Sequence, residues 1–229
     1  MAVGRVAAGA HPPQAQNSAR LGAWLALVAL LSTLAYAANA GDEPPDDFVY
    51  RWESLWNALP NLVLLGIAIL IAGWPRTLEM LALRPPQSWW RALGLGTTIV
   101  IAVVVFEAAL SRWLQPGEEQ GLVPTGWDGG RAPQFFANFA LIVLLVPIVE
   151  ELTFRGVGFT LLRRFGRWPA ILVVGLSFGL VHGLVEALPV LTLFGAVLAF
   201  LRERTGSVLP CIVVHGAFNA LALAVSIAH

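Results

Sequence analysis

The sequence predicts an all-α fold, a polytopic transmembrane helix bundle with about seven spans, or eight. The composition is 57% hydrophobic and only 12% charged, with a mean hydropathy of +0.73, whereas soluble domains carry about 25% charged residues. Several apolar runs reach the ~20 residues that cross ~30 Å of hydrocarbon. No run alternates with period two, as the strands of a membrane barrel would. The formal net charge is zero, so no nucleic acid is expected as a partner.

The N-terminal third is predicted as a tail, a first helix and an acidic loop. Residues 1–20 are rich in Ala, Gly and Gln and are expected to be disordered. Residues 21–40 form the first apolar run. Ala38-Asn39-Ala40 resembles a signal-peptide cleavage site. The length of the run and the spans that follow favour a retained first helix. The acidic loop after it contains Asp42, Glu43, Asp46 and Asp47.

Six further helices are predicted along the rest of the chain. They cover about residues 55–74, 90–110, 133–165, 168–188, 189–201 and 209–227, and the sixth of the seven is short for a span. We divide the chain into the tail (1–20), N-terminal transmembrane helices (21–132) and a helical core (133–229). The nine Trp residues are interpreted as belt residues at the membrane interfaces and lipid contacts.

Arginine residues predict the orientation in the membrane. They concentrate on alternate connections, and the intervening loops hold most of the acids. The positive-inside rule then places the N-terminus and the Arg163–Arg167 hairpin in the cytoplasm. The Ala-rich composition, in which Arg is the only strongly basic residue, is typical of bacteria, so we expect an integral protein of the bacterial inner membrane. The lipid bilayer is therefore a predicted partner.

Adjacent carboxylates at the end of an apolar run are the most informative local feature. Glu150 and Glu151 follow the almost wholly apolar residues 135–149. A charge at bilayer depth costs about 2.5–3.5 kcal/mol, so such residues face a protein interior or a wet cavity with partners. Two later segments offer partners, Phe178–His182 and His215–Asn219.

Helical spacing predicts how these side chains meet. Glu150 and His182 are each sixteen residues from Gly166, which puts both about 24 Å from that turn, at one level of an antiparallel pair. Glu151 and Arg155 are four apart and are expected to form an ion pair, while Glu150 points about 100° away. Small residues are expected to let the helices approach closely; they are Gly156, Gly158, Gly175, Gly179, Gly183 and Gly216. Pro147 is expected to free a backbone carbonyl near Glu150.

An acid, two imidazoles and an amide are the components of hydrolysis by activated water. A carboxylate in a low-dielectric pocket is a better base, and an imidazole can orient water. The remaining His and Asn offer N–H donors to a developing oxyanion. No G-x-S-x-G motif indicates a nucleophilic serine. Two histidines and a glutamate could also hold zinc, but there is no H-E-x-x-H.

These motifs resemble those of a known family. Glu-Glu-x-x-x-Arg, Phe-x-x-x-His and His-x-x-x-Asn, in that order on apolar helices, are similar to those of the type II CAAX prenyl endopeptidases, also called CPBP or abortive-infection domain proteins. The resemblance covers about residues 135–225. It implies a glutamate-dependent intramembrane endopeptidase that needs no cofactor. Glu150 would activate water with help from His182, His215 and Asn219 would hold the oxyanion, and Glu151 and Arg155 would support the site.

Three alternatives remain open at this stage. The protein could be a zinc-dependent version of the protease. It could be a non-catalytic immunity or scaffold protein that keeps the polar core, in which His215 and Asn219 merely bond two helices together. It could be a proton-coupled transporter, although no paired repeat indicates one. For an endopeptidase the partner is a peptide or membrane-protein substrate.

Overall fold

A computed structural model describes residues 14–40, 47–75, 77–120 and 126–228, and every regular element in these ranges is helical. The all-α prediction is therefore confirmed. We number the principal helices α1 (Gln14–Asn39), α2 (Ala58–Ala72), α3 (Trp89–Leu110), α4 (Gly129–Phe165), α5 (Arg167–Leu180), α6 (Leu188–Thr205) and α7 (Leu209–Ser226). Short helical turns lie between them, among them Thr77–Met80 and Pro116–Glu119.

The predicted number of spans was too high. Among the described residues, five helices are long and apolar enough to cross a membrane, namely α1, α2 with the turn before it, α3, α4 and α7. Helix α5 has 14 residues, about 21 Å at 1.5 Å per residue. Helix α6 has 18 residues, but its last turns carry Arg202, Glu203 and Arg204. Helices α5 and α6 pack against each other as an antiparallel hairpin.

The first helix starts earlier than predicted. Helix α1 begins at Gln14, so residues 14–20, expected in the disordered tail, are helical and continue the apolar segment. Residues 1–13 and the acidic residues Asp42, Glu43 and Asp46 lie outside the described residues.

Glycine residues bring the helices close together, as predicted. A Cβ at Gly175 would lie 2.7 Å from the Cβ of Ala196, and one at Gly216 would lie 2.6 Å from the carbonyl oxygen of Val143. The same crowding occurs at the other predicted positions, Gly156, Gly158, Gly179 and Gly183. Helices α5 and α6 therefore pack almost backbone to backbone, and α7 packs against α4 in the same way.

Trp24 of α1 corrects the prediction that every Trp lies at an interface. Its side chain is fully buried, and its Nε1 donates a hydrogen bond to the backbone oxygen of Thr153 on α4 at 3.0 Å. The ring fills the space beside Gly158 and meets Phe154 edge to face at 6.2 Å. The other eight Trp side chains are exposed. Helix α1 is thus packed into the core through one aromatic residue.

The long helix α4 contains two π-helical segments. Leu141–Leu145 and Leu152–Gly158 are π-helical, with Val146–Glu151 as α-helix between them. Such wide turns often occur at functional sites. The second of these π-helical segments begins directly after Glu150 and Glu151.

Candidate active site

The two adjacent glutamates have different surroundings. Glu151 is fully buried, and its Oε1 accepts a hydrogen bond at 2.8 Å from Arg155 Nη1, whose side chain is also fully enclosed. The Glu150 side chain remains 17% exposed, and its Oε2 lies 3.7 Å from His215 Nε2, which is beyond hydrogen-bond distance. The predicted Glu151–Arg155 ion pair is present, and Glu150 is the carboxylate left open.

His215 lies between these carboxylates. Its Nδ1 is 2.8 Å from Glu151 Oε1, and its Nε2 is 3.7 Å from Glu150 Oε2. A carboxylate accepts hydrogen bonds, so Nδ1 carries a proton and donates to Glu151. This bond connects α7 to α4, and it fixes the plane of the imidazole so that Nε2 faces Glu150.

The aromatic ring of Phe178 joins the other groups of the cluster. The guanidinium carbon of Arg155 lies 4.4 Å from the ring centroid, a cation–π distance. The rings of His182 and His215 lie 4.8 and 5.7 Å from the same centroid. Arg155 Nη2 also donates to the backbone oxygen of Gly195 at 3.0 Å. Residues from all three motifs therefore form one connected cluster, namely Glu151, Arg155, Phe178, His182 and His215.

His182 is hydrogen-bonded to the backbone and not to Glu150, the residue that the equal spacing from Gly166 predicts it to face. Helix α5 ends at Leu180, and His182 lies in the turn that follows. Its Nδ1 is 2.7 Å from the backbone oxygen of Phe178, so in the neutral ring Nδ1 donates and Nε2 is an acceptor. No hydrogen bond or ion pair joins His182 to Glu150; the two are connected only through the contacts of Phe178 and His215.

Asn219 bonds to the backbone of α4. Its Nδ2 donates to the backbone oxygen of Ile142 at 3.0 Å. In a π-helix the amide five residues later would normally use this oxygen, but that residue is Pro147, which has no N–H. The expectation that Pro147 frees a carbonyl is thus met, and Asn219 uses that carbonyl. One amide hydrogen of Asn219 remains for another acceptor.

Few potential metal ligands come together in this cluster. Across the described ranges, no three His, Cys, Asp or Glu side chains are arranged to hold a metal ion. His215 uses Nδ1 for Glu151, and His182 is bonded elsewhere. Glu150 and one nitrogen of His215 are too few donors for a tetrahedral zinc site, which takes at least three protein ligands.

Several contributors to the cluster were missing from the predicted site. Trp24, the Gly195 carbonyl and Phe194, whose ring lies 5.1 Å from that of His215, come from segments without a motif. Asn39 of α1 donates to the carbonyl oxygens of His182 and Gly183 at 3.0 and 3.2 Å. Phe178 belongs to the Phe-x-x-x-His motif, but the motif does not predict that its ring contacts Arg155, His182 and His215.

The sequence around this cluster is similar to known proteins. Residues 132–221, which contain all three motifs, match the family model of Rce1-like type II CAAX prenyl endopeptidases. The chain is also 26% identical over 190 residues to a Bacillus subtilis (strain 168) protein named "Putative membrane peptidase YdiL", and the alignment covers 79% of this chain and 74% of that one. No solved structure matches the chain. The apolar helices and these matches identify an integral membrane protein whose residues 132–221 are similar to the type II CAAX prenyl endopeptidases.

Proposed function

We propose that the protein is an intramembrane endopeptidase in which Glu150 activates the attacking water. One observation carries this proposal, namely the division of labour between the adjacent glutamates. Glu151 is enclosed by Arg155 and His215, whereas Glu150 is partly open and faces His215 Nε2 at 3.7 Å. The ion pair with Arg155 uses only Glu151, so the partly exposed carboxylate of Glu150 is available for chemistry.

Hydrolysis would proceed as a general-base reaction. Glu150 accepts a proton from water as the water oxygen attacks the carbonyl carbon of the scissile peptide bond. A tetrahedral intermediate with an oxyanion forms. When the C–N bond breaks, the proton passes from Glu150 to the leaving nitrogen, and the products are a carboxylic acid and an amine. No covalent enzyme intermediate is needed.

His215 and Asn219 are the proposed donors to the oxyanion. With His215 protonated, Nδ1 donates to Glu151 and Nε2 can donate to the intermediate. The charges of Glu150, Glu151, Arg155 and protonated His215 then sum to zero, which suits a low-dielectric interior. Asn219 would use the amide hydrogen that the Ile142 bond leaves free. His182, with Nε2 as acceptor, would orient the water.

The substrate class follows from the setting of the site. The cluster lies among membrane helices, so a substrate must reach it from the bilayer or its surface. We propose a peptide or a membrane-protein tail, in keeping with the membrane peptidase name of the Bacillus relative.

A non-catalytic scaffold is the second candidate, and the Asn219 bond favours it. That side chain joins α7 to a carbonyl that Pro147 leaves free, which is a purely structural task. In a scaffold, the exposed edge of Glu150 would have no substrate, and its charge could be removed without loss of the protein's activity in the cell.

Purified wild type and the Glu150→Gln variant, assayed on a peptide library, test the proposal. We expect cleavage to fall about 10²–10⁴-fold, the usual contribution of a general base, while the melting temperature stays near that of wild type. Glu53→Gln, at an exposed acid, is the matched control and should cleave normally. Cleavage that survives Glu150→Gln overturns the proposal, and cleavage lost on adding a chelator supports the zinc-dependent alternative.

A further inference from the structure

Arg84 and Arg202 lie on the two sides of the turn that ends α6. The Gly206 amide donates to the Arg202 backbone oxygen at 2.9 Å, and the Gly206 oxygen accepts from Arg84 Nε at 2.7 Å. Ser207 Oγ donates to the Arg84 backbone oxygen. Arg84 is therefore bonded to this turn through its side chain and its backbone, and the backbone of Arg202 is bonded to the same turn.

Arg202 is buried, and no acidic side chain of the described residues is hydrogen-bonded to its guanidinium group. The residue is 8% exposed, its Nε has no hydrogen-bond partner, and its guanidinium carbon lies 5.7 Å from the Phe159 ring centroid. Arg84, which is exposed, is close enough to repel it electrostatically. A buried charge without a hydrogen-bonded counter-charge is unfavourable, so this pair calls for an anion.

The acid nearest along the chain is already occupied. Glu203 accepts two hydrogen bonds from Arg163, both of 2.8 Å, in a bidentate pair. Glu203 therefore neutralises Arg163 and cannot fully serve Arg202 and Arg84 as well. Arg204, one residue further, is also basic and exposed. The end of α6 thus carries more positive than negative charge.

We propose that Arg84 and Arg202 form a binding site for a phosphate group, supplied by the headgroup of an anionic phospholipid. Guanidinium groups bind phosphate oxygens in pairs of hydrogen bonds, which suits two arginines on one turn. Basic pockets between helices at a membrane surface bind anionic headgroups. The turn lies beside the Arg163–Phe165 turn, at the basic end of the bundle, where headgroups are the most abundant phosphates. The site lies far from Glu150 and does not depend on the proposed protease activity.

Native mass spectrometry of the purified protein can test this site. Wild type is titrated in detergent with phosphatidylglycerol, phosphatidylcholine or inorganic phosphate. We expect wild type to bind phosphatidylglycerol in preference to phosphatidylcholine. Arg202→Gln and Arg84→Gln should each weaken that binding about tenfold, the loss of one charge-assisted hydrogen bond. Arg202→Lys, which keeps the charge, should retain part of the affinity and serves if Arg202→Gln does not fold.

Arg204→Gln is the matched control because it removes an exposed charge two residues away. It should leave phosphatidylglycerol binding within twofold of wild type. An equal loss in Arg204→Gln, or equal binding of both lipids, would show diffuse attraction to the surface and overturn the proposal. If inorganic phosphate binds as tightly as phosphatidylglycerol and loses affinity in the same two variants, the lipid assignment is wrong and the site serves a soluble phosphate.

Discussion

Two Arg–Glu pairs in this chain show how burial changes the value of the same contact. Arg155 and Glu151 are both fully buried, whereas the Arg163 and Glu203 side chains are 47% and 22% exposed. Removing one partner of a buried pair leaves an uncompensated charge in a low dielectric. In an exposed pair, water replaces the lost partner.

Arg155→Met is therefore expected to destabilise the protein by about 3–5 kcal/mol, because Glu151 loses its counter-charge. Arg163→Met, the matched control, should cost about 1 kcal/mol or less. Thermal unfolding in detergent, followed by circular dichroism, measures both. Similar losses in the two variants would mean that burial does not make the Arg155–Glu151 contact more important for stability than the exposed pair.

The two histidines of the cluster are expected to respond differently to substitution by Gln. His215 is buried and bonded to the charged Glu151 across two helices, so His215→Gln should cost about 1.5–3 kcal/mol of stability as well as activity. The side chain of His182 is hydrogen-bonded to the carbonyl of Phe178, on its own segment of the chain. His182→Gln should therefore leave the melting temperature nearly unchanged and reduce cleavage.

Melting temperatures and cleavage rates of the two His variants, measured on the same preparations, separate these effects. A large stability loss in His182→Gln would make it a structural residue and remove it from the proposed water site. Unchanged cleavage in His182→Gln would have the same consequence for its role, even with normal stability.

At this scale the sequence predicted contacts within one helix but not those between helices. The Glu151–Arg155 pair follows from a spacing of four residues and is present. The Glu151–His215 bond depends on how α7 packs against α4, which no local spacing reveals. For the same reason, equal distances from Gly166 predicted the level of His182 but not which side chain it would meet.

Helix α1 is bonded to two of the three motif segments, those that contain Glu150 and His182, although it lies outside residues 132–221. Trp24, near its middle, bonds to the Thr153 carbonyl beside Glu150 and Glu151. Tyr36 and Asn39, near its end, bond to carbonyls of the turn that follows His182. The helix thus sets the position of the α4 carboxylates relative to His182.

Trp24→Phe tests this role of α1. The change keeps a large ring but removes the donor to Thr153, leaving a buried carbonyl without that partner, at a cost of about 1–3 kcal/mol. We expect lower thermal stability and lower cleavage. Trp90→Phe, at a side chain that is 86% exposed, is the control and should change neither. Wild-type values for Trp24→Phe would assign α1 no part in holding the site.

The end of α5 shows why helix boundaries were harder to predict than helix positions. Residues 184–188 are largely apolar, so the sequence predicts that the helix continues to residue 188. The chain instead turns at Gly183, which has φ +68° and lies against the backbone of Ala35 and Tyr36. This left-handed turn suits glycine, but it is the close approach of α1 that makes it necessary. A single sequence does not contain that contact.

The whole molecule has one basic end. Arg163 bonds to Glu203, Arg84 to the Gly206 carbonyl, and Arg164 to Ser18 of α1, so the Arg-rich connections meet there as the charge pattern predicted. The candidate site lies at the other end of α5, about 21 Å away for 14 residues. If the basic end faces the cytoplasm, the site is nearer to the opposite surface, from which water and substrate would more easily enter.

Thiol labelling decides the orientation and with it the side of entry. The native Cys211 is fully buried and gives a silent background. Phe165→Cys places a thiol at the basic end, at a position that is 56% exposed, and Trp113→Cys places one beyond the far end of α3, at a position that is 75% exposed. Neither change removes an arginine, so the charges that set the topology are kept. In intact spheroplasts, we expect a membrane-impermeant maleimide to label only the Trp113→Cys variant, with Phe165→Cys labelled after permeabilisation. The reverse pattern would place the basic end outside the cell and the cytoplasm on the side nearer to Glu150, contrary to the orientation that the arginines predict.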